Sequence, residues 1–181
     1  MAINVCHVGN ALAMLATLET ESMVVKGSMA LKDQFGVFTK RPFLKGETIF
    51  SVRGPVLRTA TRYSFSLDFD RHIDPVREDG QFDFGHYLNH SCDPNTFIRI
   101  VDEPASSYID IVARRDIAAN EELNFDYASL EYETIAQVAC ECGTRLCRGT
   151  IHGFRELPDV VRDSYENEGM IPTYLLELRT L

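Results

Sequence analysis

The sequence predicts a β-rich α+β domain, and three observations lead there. Short runs rich in Val, Ile, Phe and Thr fill the first two thirds of the chain, punctuated by Lys-Gly and Arg-Gly pairs that suit tight turns. Two stretches alternate apolar residues with small or polar ones, the period of a half-buried strand. Helical signals come late, each behind a proline.

Taken in order, MVVKGSMAL, GVFTKRPFLKGETIFSV and GPVLRTA read as short strands joined by turns. YSFSLDF, Tyr63 to Phe69, reads as a further strand, and Asp70 to Asp83, polar and turn-rich, as an exposed loop. SYIDIVARRDI, Ser107 to Ile117, alternates again before the turn AANEE and a last strand, LNFDY. Pro158 opens a short helix through Glu166. Pro172 opens TYLLELRTL, in which Tyr174, Leu175, Leu178 and Leu181 share a face suited to packing on the core. There is no internal repeat or low-complexity segment.

A chain of 181 residues, 45% hydrophobic, supports a single core. Its net charge of -9 argues against direct nucleic-acid binding, which requires a surplus of Lys and Arg, and favours cationic partners such as lysine-rich peptides. No run reaches the roughly 18 apolar residues of a membrane span, and the stretch Val8 to Leu18 lacks a basic leader. The chain therefore reads as soluble and intracellular, with cytoplasm and nucleus not distinguished. Its five cysteines then point to thiols or metal and not to disulfides.

Cys140, Cys142 and Cys147 lie in ACECGTRLCRG, a spacing that lets three thiolates converge on one ion. Isolated buried thiols need no such neighbours. Cys92, beside the Asp93-Pro94 turn, is the candidate fourth ligand; Cys6 sits in an otherwise featureless stretch. Four thiolates leave no open position, so the ion, zinc, would be structural. A catalytic reading of His90-Ser91-Cys92 is weaker, because nucleophile and base normally come from distant segments.

Three blocks then carry a resemblance: N-H-S-C-D-P-N (Asn89 to Asn95), E-E-L-N-F-D-Y (Glu121 to Tyr127) and C-E-C-G-T-R-L-C-R-G (Cys140 to Gly149). In content, order and spacing, over roughly residues 22 to 155, the chain resembles the SET-domain family of lysine methyltransferases with a post-SET zinc motif. The resemblance implies small sheets with a C-terminal pseudoknot and short C-terminal helices. It divides the chain into an N-terminal extension (1–21), a SET domain (22–136), a post-SET zinc segment (137–155) and a helical tail (156–181), forming one unit. It implies S-adenosylmethionine on one face and a lysine channel from the other. Phe35, Gly36, Tyr63, Tyr87, Asn89 and His90 would contact the cofactor, Tyr127 and Tyr63 would serve methyl transfer, and Cys92, Cys140, Cys142 and Cys147 would hold one zinc.

The chain departs from the family at several places. Gln34 replaces the first glycine of G-x-G, Val52 stands where a tyrosine is common, with consequences expected for the channel, and His86-Tyr87 replaces Arg-Phe. His72, His86 and His152 read as surface or packing residues, and the Glu121-Glu122 pair as part of a solvated turn. For the chemistry, a free lysine titrates near 10.4, so its neutral form costs about 4.6 kcal/mol at pH 7. An apolar channel and a neighbouring sulfonium offset that cost. The substrate would be a basic lysine-containing protein or peptide, or else a small amine. A non-catalytic, zinc-stabilised scaffold that binds peptides is the third reading, disfavoured by intact Asn89, His90 and Tyr127. Oligomeric state is not legible.

Overall fold

Apolar alternation and tight turns produce ten short strands among the residues described by a computed structural model, 18–103, 106–135 and 138–180. Cys6, nearly all of the stretch from Val8, and Leu181 of the C-terminal stripe lie outside these residues, as does the expected boundary at 136–137. The strands are β1 (Met23–Gly27), β2 (Phe35–Thr39), β3 (Thr48–Val52), β4 (Val56–Leu57), β5 (Phe65–Ser66), β6 (His72–Ile73), β7 (Asn89–His90), β8 (Thr96–Glu103), β9 (Ser106–Ala113) and β10 (Glu122–Phe125). They form three small sheets, ordered β1-β2-β10-β7, β3-β9-β8 and β4-β6-β5. The predominantly β fold is as the sequence predicts.

In β1 Met23 and Val25 face inward. β8 and β9 pair antiparallel from Thr96↔Ala113 to Glu103↔Ser106, and β3 covers the other edge of β9. Ile109, Ile111, Val37, Phe43 and Leu123 are all fully buried between the sheets. Burying one such side chain contributes about 1.5–3 kcal/mol. Packing between sheets, more than the two-residue pairings within them, therefore holds the small strands in place.

β10 lies between β2 and β7, antiparallel to the first and parallel to the second. The last strand is thus enclosed by two earlier segments, with the β8–β9 hairpin in the chain between β7 and β10. Polar side chains fix this crossing. Asn95 and Asn124 exchange bonds, each backbone N–H donating to the other's Oδ1 at 3.1 and 3.0 Å, and Asn95 Nδ2 donates to the Glu122 carbonyl.

Helix α1 (Asp159–Asn167) follows Pro158, and α2 (Thr173–Leu176) follows Pro172 before a 3-10 turn, Glu177–Thr180. Of the expected stripe, Tyr174 and Leu175 pack inward, Leu175 being fully buried in a second cluster with Phe154, Leu157, Tyr165 and Met170. Gly153 lets the tail approach the backbone of Tyr132 so closely that a Cβ would collide with that carbonyl.

Three expectations need correction. Asp70 to Asp83 is not simply an exposed loop, because His72 and Ile73 form the buried centre of the β4-β6-β5 sheet. Tyr63 to Phe69 is strand only at Phe65–Ser66, the length that β6 can pair. Val52 is fully buried in the core and does not line the clefts described below, so its apolar character serves packing.

Candidate active site and sulfur cluster

The parallel register of β7 and β10, Asn89 beside Asn124 and His90 beside Phe125, carries the N-H-S-C block to the start of the segment containing Tyr127. Its polar groups are satisfied there. The Ser91 N–H donates to the Phe125 carbonyl at 3.0 Å, and the Tyr127 N–H donates to His90 Nδ1 at 3.3 Å. The second imidazole nitrogen, His90 Nε2, lies 3.3 Å from Cys92 Sγ. Burial is the main force holding the His90 imidazole down at about 4, with Asp126 opposing and Arg148 assisting, so the ring is neutral.

Beside this junction lies a cleft of about 400 Å³. Phe35, Tyr63, Tyr87, Asn89, His90 and Tyr127 line it, as do Cys140 and Cys142 from the C-terminal segment. Eight of the residues singled out from the sequence thus share one cavity. Gly36 is buried behind it, and Cys92 and Cys147 join through their sulfurs.

Two residues that the sequence left in bland roles prove central. Glu122 is not part of a solvated turn: its carboxylate accepts from Ser28 Oγ at 2.8 Å, the Met29 N–H at 2.8 Å and Asn89 Nδ2 at 2.9 Å. Asn89 Nδ2 also donates to the Phe35 carbonyl at 2.9 Å. Gly36 lies against this carboxylate, where a Cβ would collide with Glu122 Oε1. His86 lines the cleft between the rings of Phe82 and Tyr63, with centroids 3.8 and 4.0 Å away, and its buried Nδ1 has no hydrogen-bond partner among the described residues. Burial holds the His86 ring down at about 4. Alternation through Glu122-Leu123-Asn124-Phe125 already set Glu122 on the same strand face as Asn124; for His86 the sequence carries no comparable signal.

The Tyr127 hydroxyl donates to the Leu88 carbonyl at 3.2 Å, which leaves its oxygen lone pairs available to an incoming donor. Burial, and then the charge of Glu131, push its pKa up, so it remains a neutral phenol. Tyr63, by contrast, is half exposed at the rim. One residue beyond β10, Asp126 is fully buried and accepts from Arg148 at 2.8 Å on each oxygen, from the Tyr165 hydroxyl at 2.9 Å and from the Ala128 N–H at 3.1 Å. It joins the end of β10, the cysteine segment and α1.

The sulfurs of Cys92, Cys140, Cys142 and Cys147 all lie within 4.8 Å of one another, and those of Cys92 and Cys140 are 3.7 Å apart. Four thiolates bound tetrahedrally at about 2.3 Å from an ion would sit about 3.8 Å apart, so the cluster suits a metal. Burial pushes the Cys92 thiol up to about 11, a tendency that a divalent cation reverses by stabilising the thiolate.

Small sheets, an enclosed final strand and a cleft bounded by the N-H-S-C and E-L-N-F-D-Y blocks define a SET-domain protein. The SET domain family profile matches residues 34–128, more than half the chain, and the chain belongs to that family. It is 31% identical over 134 residues to the histone-lysine N-methyltransferase ATX2 of Arabidopsis thaliana, covering 65% of this chain and 12% of that protein. It is 30% identical over 134 residues to the histone H3-lysine(4) N-trimethyltransferase ATX1 of the same plant, with the same coverage of each chain. It is 37% identical over 91 residues to a histone-lysine N-methyltransferase, H3 lysine-4 specific, of Chaetomium globosum, covering 50% of this chain and 8% of that protein. The chain therefore spans a small fraction of the length of these curated relatives. No helix among the described residues is long and apolar enough to cross a membrane.

Proposed function

We propose that the chain is an S-adenosylmethionine-dependent protein-lysine N-methyltransferase. The observation that carries this reading is the convergence of Asn89, His90 and Tyr127 on one cleft walled by Cys140 and Cys142 of the sulfur cluster. When bound there, S-adenosylmethionine supplies an electrophilic methyl group. The cleft fits such a group: its volume is in the range of small-ligand sites, its aromatic faces suit a cation, and His86 Nδ1 offers an unused polar atom.

In this reading Phe35, Gly36, Tyr63, Tyr87, Asn89 and His90 hold the cofactor. Glu122 fixes the Asn89 amide, and His86 adds a contact. Tyr127, assisted by Tyr63, orients the amine through its hydroxyl oxygen. Alignment of this kind is worth on the order of 7–11 kcal/mol, which makes positioning the main source of rate. A single zinc held by the four cysteines fastens the segment that carries Cys140, Cys142 and Cys147 over the cleft as a structural ion. Residues 22–136 form the SET domain and 156–181 the tail of the same unit.

For the substrate, we propose a basic, lysine-containing protein segment. The overall charge is -9, and a second cleft of about 220 Å³ carries Asp68, Glu131 and Glu133 beside Phe69, Tyr132 and Tyr174. The relatives' names make a histone tail the first candidate, with nuclear localisation to match. The test is methyl transfer from labelled S-adenosylmethionine to histone tail peptides. Transfer that falls by about 100-fold or more in Tyr127→Phe supports the reading. Transfer equal in the two proteins contradicts it.

A further inference from the structure

We propose that Glu131 is the proton acceptor for the substrate amine: the carboxylate that receives a lysine ammonium and leaves it as the neutral nucleophile. This rests on the methyltransferase reading and adds a residue to it. Glu131 belongs to none of the three sequence blocks that carry the family resemblance, yet it lies in the wall of both the 400 and the 220 Å³ clefts.

Its place is fixed from two sides. The Glu131 N–H donates to the Tyr127 carbonyl at 2.9 Å, and its own carbonyl accepts from the Phe154 N–H at 2.7 Å. The Arg155 N–H donates to the next carbonyl, that of Tyr132, where Gly153 permits the close pass. Within this clamp, Glu131 Oε2 is buried and has no hydrogen-bond partner among the described residues. A buried, unpartnered carboxylate oxygen is costly unless something fills the vacancy.

The other candidates are engaged or unsuited. In the second cleft, Asp68 is paired with Arg71 at 2.6 Å and Glu133 with Arg155 at 2.6 Å. Glu141 is exposed at the edge of the first cleft. Tyr127 is a neutral phenol with no proton vacancy, and both His90 nitrogens have neighbours, the Tyr127 N–H and Cys92. His86 is held at about 4, too weak a base for an amine. Burial pushes Glu131 up to about 7, against a hydrogen bond from Thr134, and a proton acceptor is most effective when it titrates near the working pH. Sharing the clefts with it are Tyr127 and Glu133 on its own segment, Tyr174 from α2, and Arg62, Tyr63, His72 and Asp68 from other segments.

The step is a proton transfer. An N–H bond of the ammonium breaks and its electron pair stays on nitrogen, while the proton forms an O–H bond on Glu131. A neutral amine and a neutral acid replace an ion pair, and the acid returns its proton to water after turnover. The nitrogen lone pair is then free for methylation.

The experiment compares wild type with Glu131→Gln, using a lysine peptide and S-adenosylmethionine between about pH 6 and pH 10. Wild-type kcat/KM should rise through about pH 7, the value toward which burial drives this carboxyl. Glu131→Gln should lose that limb, fall about 100-fold at neutral pH and recover only as the substrate ammonium deprotonates unaided at high pH. Glu131→Asp, which keeps a carboxylate, should keep a displaced limb. A second readout needs no turnover: with S-adenosylhomocysteine bound, wild type should favour a lysine peptide over its norleucine counterpart, and Glu131→Gln should lose that preference. Identical pH profiles and an unchanged lysine preference in the variant would overturn the proposal. If wild type methylates nothing, the methyltransferase reading fails, and the lysine preference alone decides whether Glu131 receives the ammonium. If Glu131→Gln does not fold, Glu131→Asp decides in its place: a displaced limb supports the role and an unmoved one refutes it.

Discussion

At position 36 a Cβ could be accommodated only if the Glu122 carboxylate, which anchors Asn89, moved aside. Gly36→Ala should therefore weaken S-adenosylmethionine binding about tenfold or more, measured by calorimetry, with only a modest loss of stability. The neighbouring departure is tolerated for a backbone reason: Asp33 and Asn120 are the non-glycine residues with positive φ among those described, so Gln34 needs none of glycine's freedom. His86 gives a pH signature. Burial lowers its pKa from 6.5 to about 4, so its contribution to stability is complete above about 6.5 and is lost as pH falls toward 4. His86→Phe, which keeps the ring between Tyr63 and Phe82, should flatten the decline in melting temperature over that interval. An unchanged slope would show that His86 does not titrate with unfolding.

Among the elements, Asp126 joins β10, the cysteine segment and α1 through Arg148 and Tyr165. Asp126→Asn leaves the buried Arg148 uncompensated and should cost about 3–5 kcal/mol, read from denaturant midpoints. A loss under 1 kcal/mol would show the hub to be incidental. The strands were legible mainly where apolar and β-branched residues cluster: β1 and β3 fall within stretches read from the sequence, and β2 and β9 begin one residue before theirs. β8 is not among those stretches: Thr96, Ile98 and Ile100 carry the right period, but the strand follows directly on the polar N-H-S-C-D-P-N block and ends in Asp102-Glu103. β6 is different, because two residues in a polar loop have no period, and only pairing with β4 and β5 makes them a strand. The site divides in the same way. Asn89, His90, Tyr127 and the cysteines were visible as blocks, whereas Glu122, His86 and Glu131 acquire their surroundings only when distant segments meet.

At the scale of the whole molecule, the sheets, the enclosed β10 and the sulfur cluster have one joint consequence: the C-terminal segment is drawn over a cleft built from the middle of the chain. Cys140 and Cys142 both belong to the cluster and line that cleft, so in the proposed reading the metal and cofactor sites share a wall. The most direct measurement is zinc content and S-adenosylmethionine affinity taken together, in wild type and in Cys142→Ser. About one zinc per chain in wild type, with zinc and cofactor binding lost together in the variant, is the expected result. Undiminished cofactor binding by a protein that holds no metal would contradict it.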